Sequence, residues 1–254
     1  METKQKIFYD DPGFDYQEYW QNREYENRCE QIAVKKLLDL IPNKKAKSIV
    51  DIGAGFGRLC PLYAPLFKKC LLVEPSEKAL EQAKEFCSSF KNIEHKKAFI
   101  EHLPIPNNSF DVVLIIRVSH HLSDLQTMMK EVKRILKPGG FVVMEYANKM
   151  HFKNILEAFF HFDWEFFTSH QPVSLRSSNR RAYFYNYHPS QVRSLAFSQG
   201  FKIIKRYSVS NFRNPFLKKI LPLPAMLFLE KTFEPLATYL RFGPSIIGLA
   251  QIEK

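Results

Sequence analysis

The arrangement with most chemistry in it is Asp51-x-Gly53-x-Gly55-x-Gly57. Glycines at alternate positions let a backbone turn sharply and come close to a ligand. The spacing departs from the dinucleotide fingerprint G-x-G-x-x-G, whose last glycine lets helix pack on strand. Counted from Gly53, that position is Arg58. An acid two residues before the first glycine suits a ligand carrying positive charge and disfavours a pyrophosphate. Glu74 ends an apolar run, KCLLVE over 69–74. A carboxylate only accepts hydrogen bonds, which suits a ribose diol. After another apolar run comes Ser119-His120-His121. An imidazole there can take a proton from a hydroxyl, so His120 and His121 are the candidate catalytic residues. The alternative is that one of them caps or packs near the following helix.

These residues need elements to position them. Ser48–Ile52 reads as a short buried strand feeding the glycine turn, and 69–74 as a second. Residues 92–99 read as a weaker third strand, 110–117 (FDVVLIIR) as one buried on both faces, and 141–146 as a fifth. Helices are expected over 15–40, over 58–67, after a Ser76 cap, and after a Ser123-x-x-Gln126 capping box; Lys137-Pro-Gly-Gly140 ends the last. The β-α-β-α-β-β-α-β alternation predicts an open, mostly parallel sheet with helices on both faces. Such sheets bind ligands beyond the C-terminal ends of their strands, at the topological switch point. Further on, an aromatic stretch spans 159–167, a loop or insertion 168–188, a helix 189–199, a strand 201–208 and a closing strand 245–252. Residues 214–240 are basic and apolar and hold four prolines, and those within 216–228 argue against a regular amphipathic helix there.

Four segments, IVDIGAGFG (49–57), LLVEPS (71–76), LPIPNNSFDVVLIIRVSHHL (103–122) and LKPGGFVVMEY (136–146), resemble the class I S-adenosylmethionine-dependent methyltransferases in order and spacing. The likeness is best to the type 11 group of small bacterial-type enzymes that includes ubiquinone- and menaquinone-biosynthesis methyltransferases. It is strong over 45–150 and weaker over 184–201 and 244–254. It implies a Rossmann-like α/β fold with a seven-stranded mostly parallel sheet, helices on both faces and a lid insertion. Residues 1–44 would be a helical cap, 45–150 the cofactor core, and 151–254 the half that completes the sheet and carries the lid, all in one domain.

The cofactor implied is S-adenosyl-L-methionine. By position, Gly53, Gly55 and Gly57 would line its methionine part, with Asp51 beneath them ordering the loop. Glu74 would hold the ribose hydroxyls, Pro75 would lie beside the adenine, and Ile100 and Glu101 would flank it. Arg117 and Val118 would face the methionyl side. Relatives carry an acid shortly before the LP turn; here that place falls on Phe99, so Glu101 or a backbone carbonyl must replace it. In relatives an N-terminal segment lies over the cofactor. Tyr16, Trp20, Arg23 and Tyr25 are candidates to close the pocket, with Arg23 meeting the cofactor carboxylate; simple packing of the helix is the alternative.

The chain has 254 residues and a net charge of +11, of which residues 151–254 carry +8. Between Glu165 and Glu230 there is no acid and there are ten Lys/Arg. Such a surface prefers anionic partners. At 45% hydrophobic and 25% charged the chain is globular, and neither disordered nor collagenous. The polar start has no signal-peptide pattern, and no run reaches about 18 apolar residues. Four cysteines lack zinc spacing and read as reduced thiols, so no metal and a cytoplasmic location are expected. No [DN]-P-P-[YFW] and no Pro-Cys follow the fourth strand, which disfavours adenine amino and cytosine C5 methylation. The expected function is methyl transfer to a small-molecule acceptor, anionic or lipid-like, with peripheral membrane contact through 214–240. A non-catalytic cofactor-binding protein on the same fold and an RNA-modifying enzyme are the alternatives, and nucleic acid is not favoured.

Overall fold

The structure, a computed structural model, describes Asp10, Gly13 and residues 15–176 and 183–253. Two helices come first, α1 (Tyr16–Gln21) and α2 (Glu24–Asp39), followed by β1 (Ser48–Ile52), α3 (Cys60–Tyr63), β2 (Lys69–Val73), α4 (Glu77–Phe86) and β3 (Ile93–Lys96). Next are β4 (Phe110–Ile115), α5 (Leu125–Ile135), β5 (Leu136–Ala147), α6 (Phe152–Phe160) and α7 (Trp164–Thr168). The chain continues through β6 (Val173–Arg176), β7 (Tyr183–Asn186), α8 (Pro189–Ser198), β8 (Phe201–Val209), α9 (Pro215–Ile220), α10 (Leu223–Leu240) and β9 (Ser245–Ile252).

Seven strands form one sheet in the order β3-β2-β1-β4-β5-β9-β8. The first five are mutually parallel, and β9 runs antiparallel between β5 and β8. Strand order therefore reverses between β1 and β4, and the glycine turn and Arg117–His121 leave from the C-terminal ends of those two strands. Parallel strands covered on both faces should be apolar throughout, and Ile49, Val50, Val112, Val113, Leu114 and Ile115 are fully buried. One core lies under α2 and α4, where Val34, Leu37, Leu38, Leu80 and Ala83 meet Ile49 and Leu72. The other lies under α5 and α8, where Met128, Val132 and Val192 meet Val50, Val113 and Val142. Burying each such Leu, Val or Met contributes about 1.5–3 kcal/mol. The seven-stranded, mostly parallel α/β sheet expected from sequence is the one found.

Several local expectations are corrected. The helix expected over 15–40 is two, because the chain breaks at Asn22-Arg23; Asp15 caps the first, accepting from the Gln17 and Glu18 amides. The helix expected over 58–67 is the single turn of α3, with Pro61 in its first turn and, just past its end, Pro65, which lacks the amide a longer helix needs. The cap of α5 is Asp124, one residue past Ser123, and it accepts from the Gln126 and Thr127 amides. Lys137–Gly140 lies inside β5, which begins at Leu136 where α5 stops. Within 168–188, β6 and β7 form an antiparallel pair; the middle of that insertion lies outside the described residues.

As the prolines within 216–228 suggest, that stretch is not one regular helix: α9 ends at Ile220 and α10 begins at Leu223. Pro215 opens α9 and Pro222 and Pro224 open α10, positions where a missing amide costs nothing. Only Pro235 is internal, and the 18-residue α10 runs through it. Among the described residues no helix is long and apolar enough to cross a membrane.

Candidate functional site

The glycine turn is held by groups around it. Gly53, Gly55 and Gly57 have φ of 69°, 58° and 81°, the left-handed region that a side chain resists. A Cβ on Gly53 would lie 2.2 Å from Val118, and one on Gly55 would lie 2.6 Å from the Tyr16 ring. Gly57 lies against Cys87 of the same core. The Glu74 carboxylate accepts from the Gly55 amide at 2.8 Å and the Ser76 amide at 3.0 Å, so it joins the glycine turn to the start of α4. Burial pushes its pKa up, against the pull of those two amides. The Ser76 hydroxyl both caps α4 at Ala79 and donates to Asp10.

Asp51 is 2% exposed, and its Oδ2 has no hydrogen-bond partner. Burial pushes its carboxyl up to about 7, against the neighbouring Tyr63 hydroxyl and Arg58 guanidinium. Pro75 is half-buried. Ile100 is buried beside Leu103 and Ile105, and Glu101 is half-buried in the same single turn, 100–102. Phe99, at the place of the family's acid, is exposed.

Beyond β4 stands a buried charge network. Arg117 has φ of 66°; its amide donates to Glu145 Oε2 at 3.2 Å and its Nε meets Glu30 at 3.0 Å. The other Glu30 oxygen pairs with Arg58 at 2.6 Å, and Arg58 also donates to Asn27. Both guanidiniums lie over the Trp20 ring, at 3.8 Å for Arg58 and 5.2 Å for Arg117. Burial opposes the Arg117 charge, but Glu30 and Glu145 more than offset it and raise its pKa. Glu145 is fully buried with Oε1 unpartnered, and burial raises its pKa against the attraction of Arg117.

The rings of His120 and His121 are 4.1 Å apart, and each lies about 5 Å from Phe184 on β7, at 5.3 and 5.2 Å. Burial, with His121 and Arg117 beside it, drives His120 well below the usual imidazole range; burial and Arg117 bring His121 to about 4. Both are neutral at pH 7, and both are poor bases, since a general base works best with a pKa near the working pH.

The structure thus brings Asp51, the three glycines, Glu74, Arg117 and Val118 to the switch point. Tyr16 lies over Gly55 and against Phe56, and Trp20 under the two guanidiniums. Arg23 lies over Tyr19. Tyr25 does not close the pocket: its hydroxyl donates to Glu230 and accepts from the Phe212 amide, because α2 turns that face toward α10. The sequence reading missed Glu30, Arg58 and Glu145. Glu145 had a signal, a lone carboxylate inside the apolar run FVVMEY, and Arg58 occupies the slot of the missing glycine. Glu30 had none.

A cationic ligand that carries hydroxyl and ammonium donors fits this arrangement. Asp51 Oδ2 and Glu145 Oε1 are among the buried carboxylate oxygens that lack donors, and buried acceptors of that kind are normally satisfied. Among the described residues no group of three or more His, Cys, Asp or Glu could hold a metal ion.

Residues 50–144 match the family described as "Methyltransferase domain", type 11. The chain is 31% identical over 101 residues to the uncharacterized methyltransferase YcgJ of Bacillus subtilis, covering 39% of this chain and 40% of that one. It is 30% identical over 137 residues to a malonyl-[acyl-carrier protein] O-methyltransferase of a Marinomonas species, covering 53% and 50%. The match thus spans about half or less of these relatives. A crystal structure of an S-adenosylmethionine-dependent methyltransferase from Mesorhizobium loti superposes with a TM-score of 0.57 at 18% identity, over 85% of this chain and 95% of that one. At that identity the likeness establishes the fold.

Proposed function

Residues 50–144 carry a class I S-adenosylmethionine-dependent methyltransferase domain of the type 11 group, and on that premise we propose that the chain methylates a small-molecule acceptor of anionic or lipid-like character. The observation that carries the reading is the Glu74 carboxylate bonded to the Gly55 amide beside the unsatisfied, buried Asp51. When bound, S-adenosyl-L-methionine supplies a methyl group on a sulfonium, open to in-line attack. In this reading the turn of Gly53, Gly55 and Gly57 lines the methionine part, with Asp51 beneath it, and Glu74 turns its free lone pairs to the ribose. Pro75, Ile100 and Glu101 enclose the adenine, while Arg117, backed by Glu30 and Glu145, fixes the methionyl side with Val118.

What remains for the chain is to bring nucleophile and carbon together in line, which is mainly a positioning effect. Neutral, weakly basic His120 and His121 orient the acceptor and do not take its proton. That supports a nucleophile already ionised on arrival. The relative named for O-methylation of malonyl-[acyl-carrier protein] supports an acceptor other than nucleic acid.

The test is incubation with labelled S-adenosyl-L-methionine and a fractionated lysate. Label in a metabolite or lipid fraction supports the proposal, and label in RNA overturns it in favour of RNA modification. Calorimetric cofactor binding without labelling of any fraction leaves a binding protein instead. No cofactor binding by folded protein defeats the reading outright.

A further inference from the structure

The sheet carries a second hollow, away from the glycine turn. On the face that α8 covers, Val142, Met144 and Tyr146 of β5 stand beside Ala250, Gly248 and Ile246 of β9. Alternate residues of a strand line one face, and here two of the three on β9 are small. Across from them α8 presents another small residue, Ala196. Small side chains on both sides leave a cavity of about 50 Å³. None of the residues lining it belongs to the candidate functional site.

The edge strand β8 supplies the polar rim. Its register with β9 shifts between Ile203, opposite Ala250, and Lys205, opposite Leu249. An extra residue of this kind is a bulge, and a bulge re-aims the side chains that follow it. Lys205 accordingly turns to the other face, over the Tyr207 ring, and Arg206 lines the cavity opposite Gly248. Ile203 beside it is 39% exposed, so the mouth opens on this side. Arg193 of α8 completes the rim.

The charge of the rim is uncompensated. No acid lines the cavity, and among the described residues neither Arg193 nor Arg206 has a hydrogen bond or ion pair through its guanidinium. The Tyr146 hydroxyl has no hydrogen-bond partner among them either, although Tyr146 is only 7% exposed. Burial holds its pKa up against the pull of Arg206 and Arg241, so it stands there as a neutral donor. Buried polar groups are normally paired. An arginine fork matches a carboxylate, which it can grip with two parallel hydrogen bonds. The hollow sets the size of the rest: benzene fills an apolar cavity of about 150 Å³, and about a third of that takes a few aliphatic carbons and no ring.

We propose that this cavity binds a short-chain aliphatic monocarboxylate, its tail in the hollow between β9 and α8 and its carboxylate among Arg206, Arg193 and the Tyr146 hydroxyl. The site shares no residue with the glycine turn and stands whether or not methyl transfer does.

The isotope-labelled full chain is titrated in amide NMR spectra with acetate, propionate, butyrate and hexanoate, and with butyramide as the uncharged match of butyrate. Affinity should rise about fourfold per methylene from acetate to butyrate and level off once the hollow is full. The Gly248 and Ala250 amides should report the binding. Butyramide should bind about tenfold more weakly than butyrate, or less well still. A Cβ on Gly248 would meet only the Lys205 carbonyl at 3.6 Å and Arg206 at 3.8 Å, both ordinary contacts, so Gly248→Ala keeps the fold and takes up room needed by the tail. That variant should lower butyrate affinity about fourfold and leave acetate unchanged. Arg206→Gln should weaken both by about tenfold. Equal binding of butyrate and butyramide overturns the proposal, as does the absence of any shift at millimolar butyrate. Wild-type butyrate affinity in both variants overturns it too. A dimer in sedimentation that Arg206→Gln abolishes, with no carboxylate bound, makes the cleft a contact between copies and likewise overturns it. Failure of cofactor binding with butyrate binding intact strikes the methyl-transfer reading alone.

Discussion

Asp51→Asn gives the sharpest check on the reading of the site. The wild-type carboxyl is raised from the ordinary 3.8 to about 7 by burial. Folded protein therefore binds this proton more tightly than unfolded protein, and stability falls as pH rises from about 4 through 7 and levels off above. At about 1.4 kcal/mol per tenfold, the full difference is on the order of 4 kcal/mol, of which about 2–3 kcal/mol develops between roughly pH 5 and 8. For a chain of this size that is a fall in Tm of about 5–10 °C. Asparagine keeps the size and removes the charge. The variant should lose most of this slope and become the more stable of the two at alkaline pH. Cofactor affinity should move the opposite way in the wild type, rising with pH until Asp51 is ionised, and should be flatter in the variant. The assay is a thermal melt series across the pH range, with calorimetric titration alongside. Identical pH slopes in the two proteins would refute the argument that Asp51 is an unsatisfied buried carboxyl beneath the cofactor.

Four further outcomes follow from other contacts. Glu74→Gln should weaken cofactor binding by about 10- to 100-fold, since a hydrogen bond to a charged group contributes about 1.5–3 kcal/mol; calorimetry showing less than a threefold change counts against it. Gly55→Ala should destabilise by about 1 kcal/mol or more through its positive φ and the Tyr16 ring. Tyr16→Ala in the same chain should recover only the steric part, as read by urea denaturation. Glu30→Gln should cost about 3–5 kcal/mol because it strands two buried guanidiniums, Arg58 and Arg117; an unchanged denaturation midpoint would show the network to be idle. Nitrogen-detected NMR should find the His121 imidazole neutral down to about pH 5, with its midpoint near 4; a midpoint at 6 or higher restores it as a base.

The strands were legible because burial on both faces demands unbroken apolar runs, and SIVDI, FDVVLI and SIIGLAQI satisfy that demand with little ambiguity. Helix ends were less legible. Ser123 and Asp124 are both good caps, and only the tertiary fit of α5 decides between them. The break that the prolines of 216–228 forecast falls at Leu221-Pro222, whereas the helices on either side were less legible, because sequence alone does not say where a first turn falls. The glycine turn and Glu74 could be read because their function is local to two strand ends. Arg58 and Glu30 lie 28 residues apart on a helix and a turn whose register no periodicity encodes. Tyr25, a candidate to close the pocket with packing as the alternative, bonds instead to Glu230, 205 residues away.

The place of β9 in the sheet bears on how the molecule is made. This strand is the last of the sheet to be synthesised, yet it lies inside it, paired from Phe141–Ala147 of β5 on one side and from Phe201–Val209 of β8 on the other. The five parallel strands from Ser48 to Ala147, with the glycine turn among them, can assemble while the ribosome is still adding residues. β8 has no partner until Ser245–Ile252 arrives to bridge it to β5. During that interval the exposed edge of β5 and the mixed basic and apolar 201–209 segment wait unpaired, an opening for chaperones and for aggregation. Completion of the β8–β9 side of the sheet is thus a late event in biogenesis, and the glycine-turn side an early one.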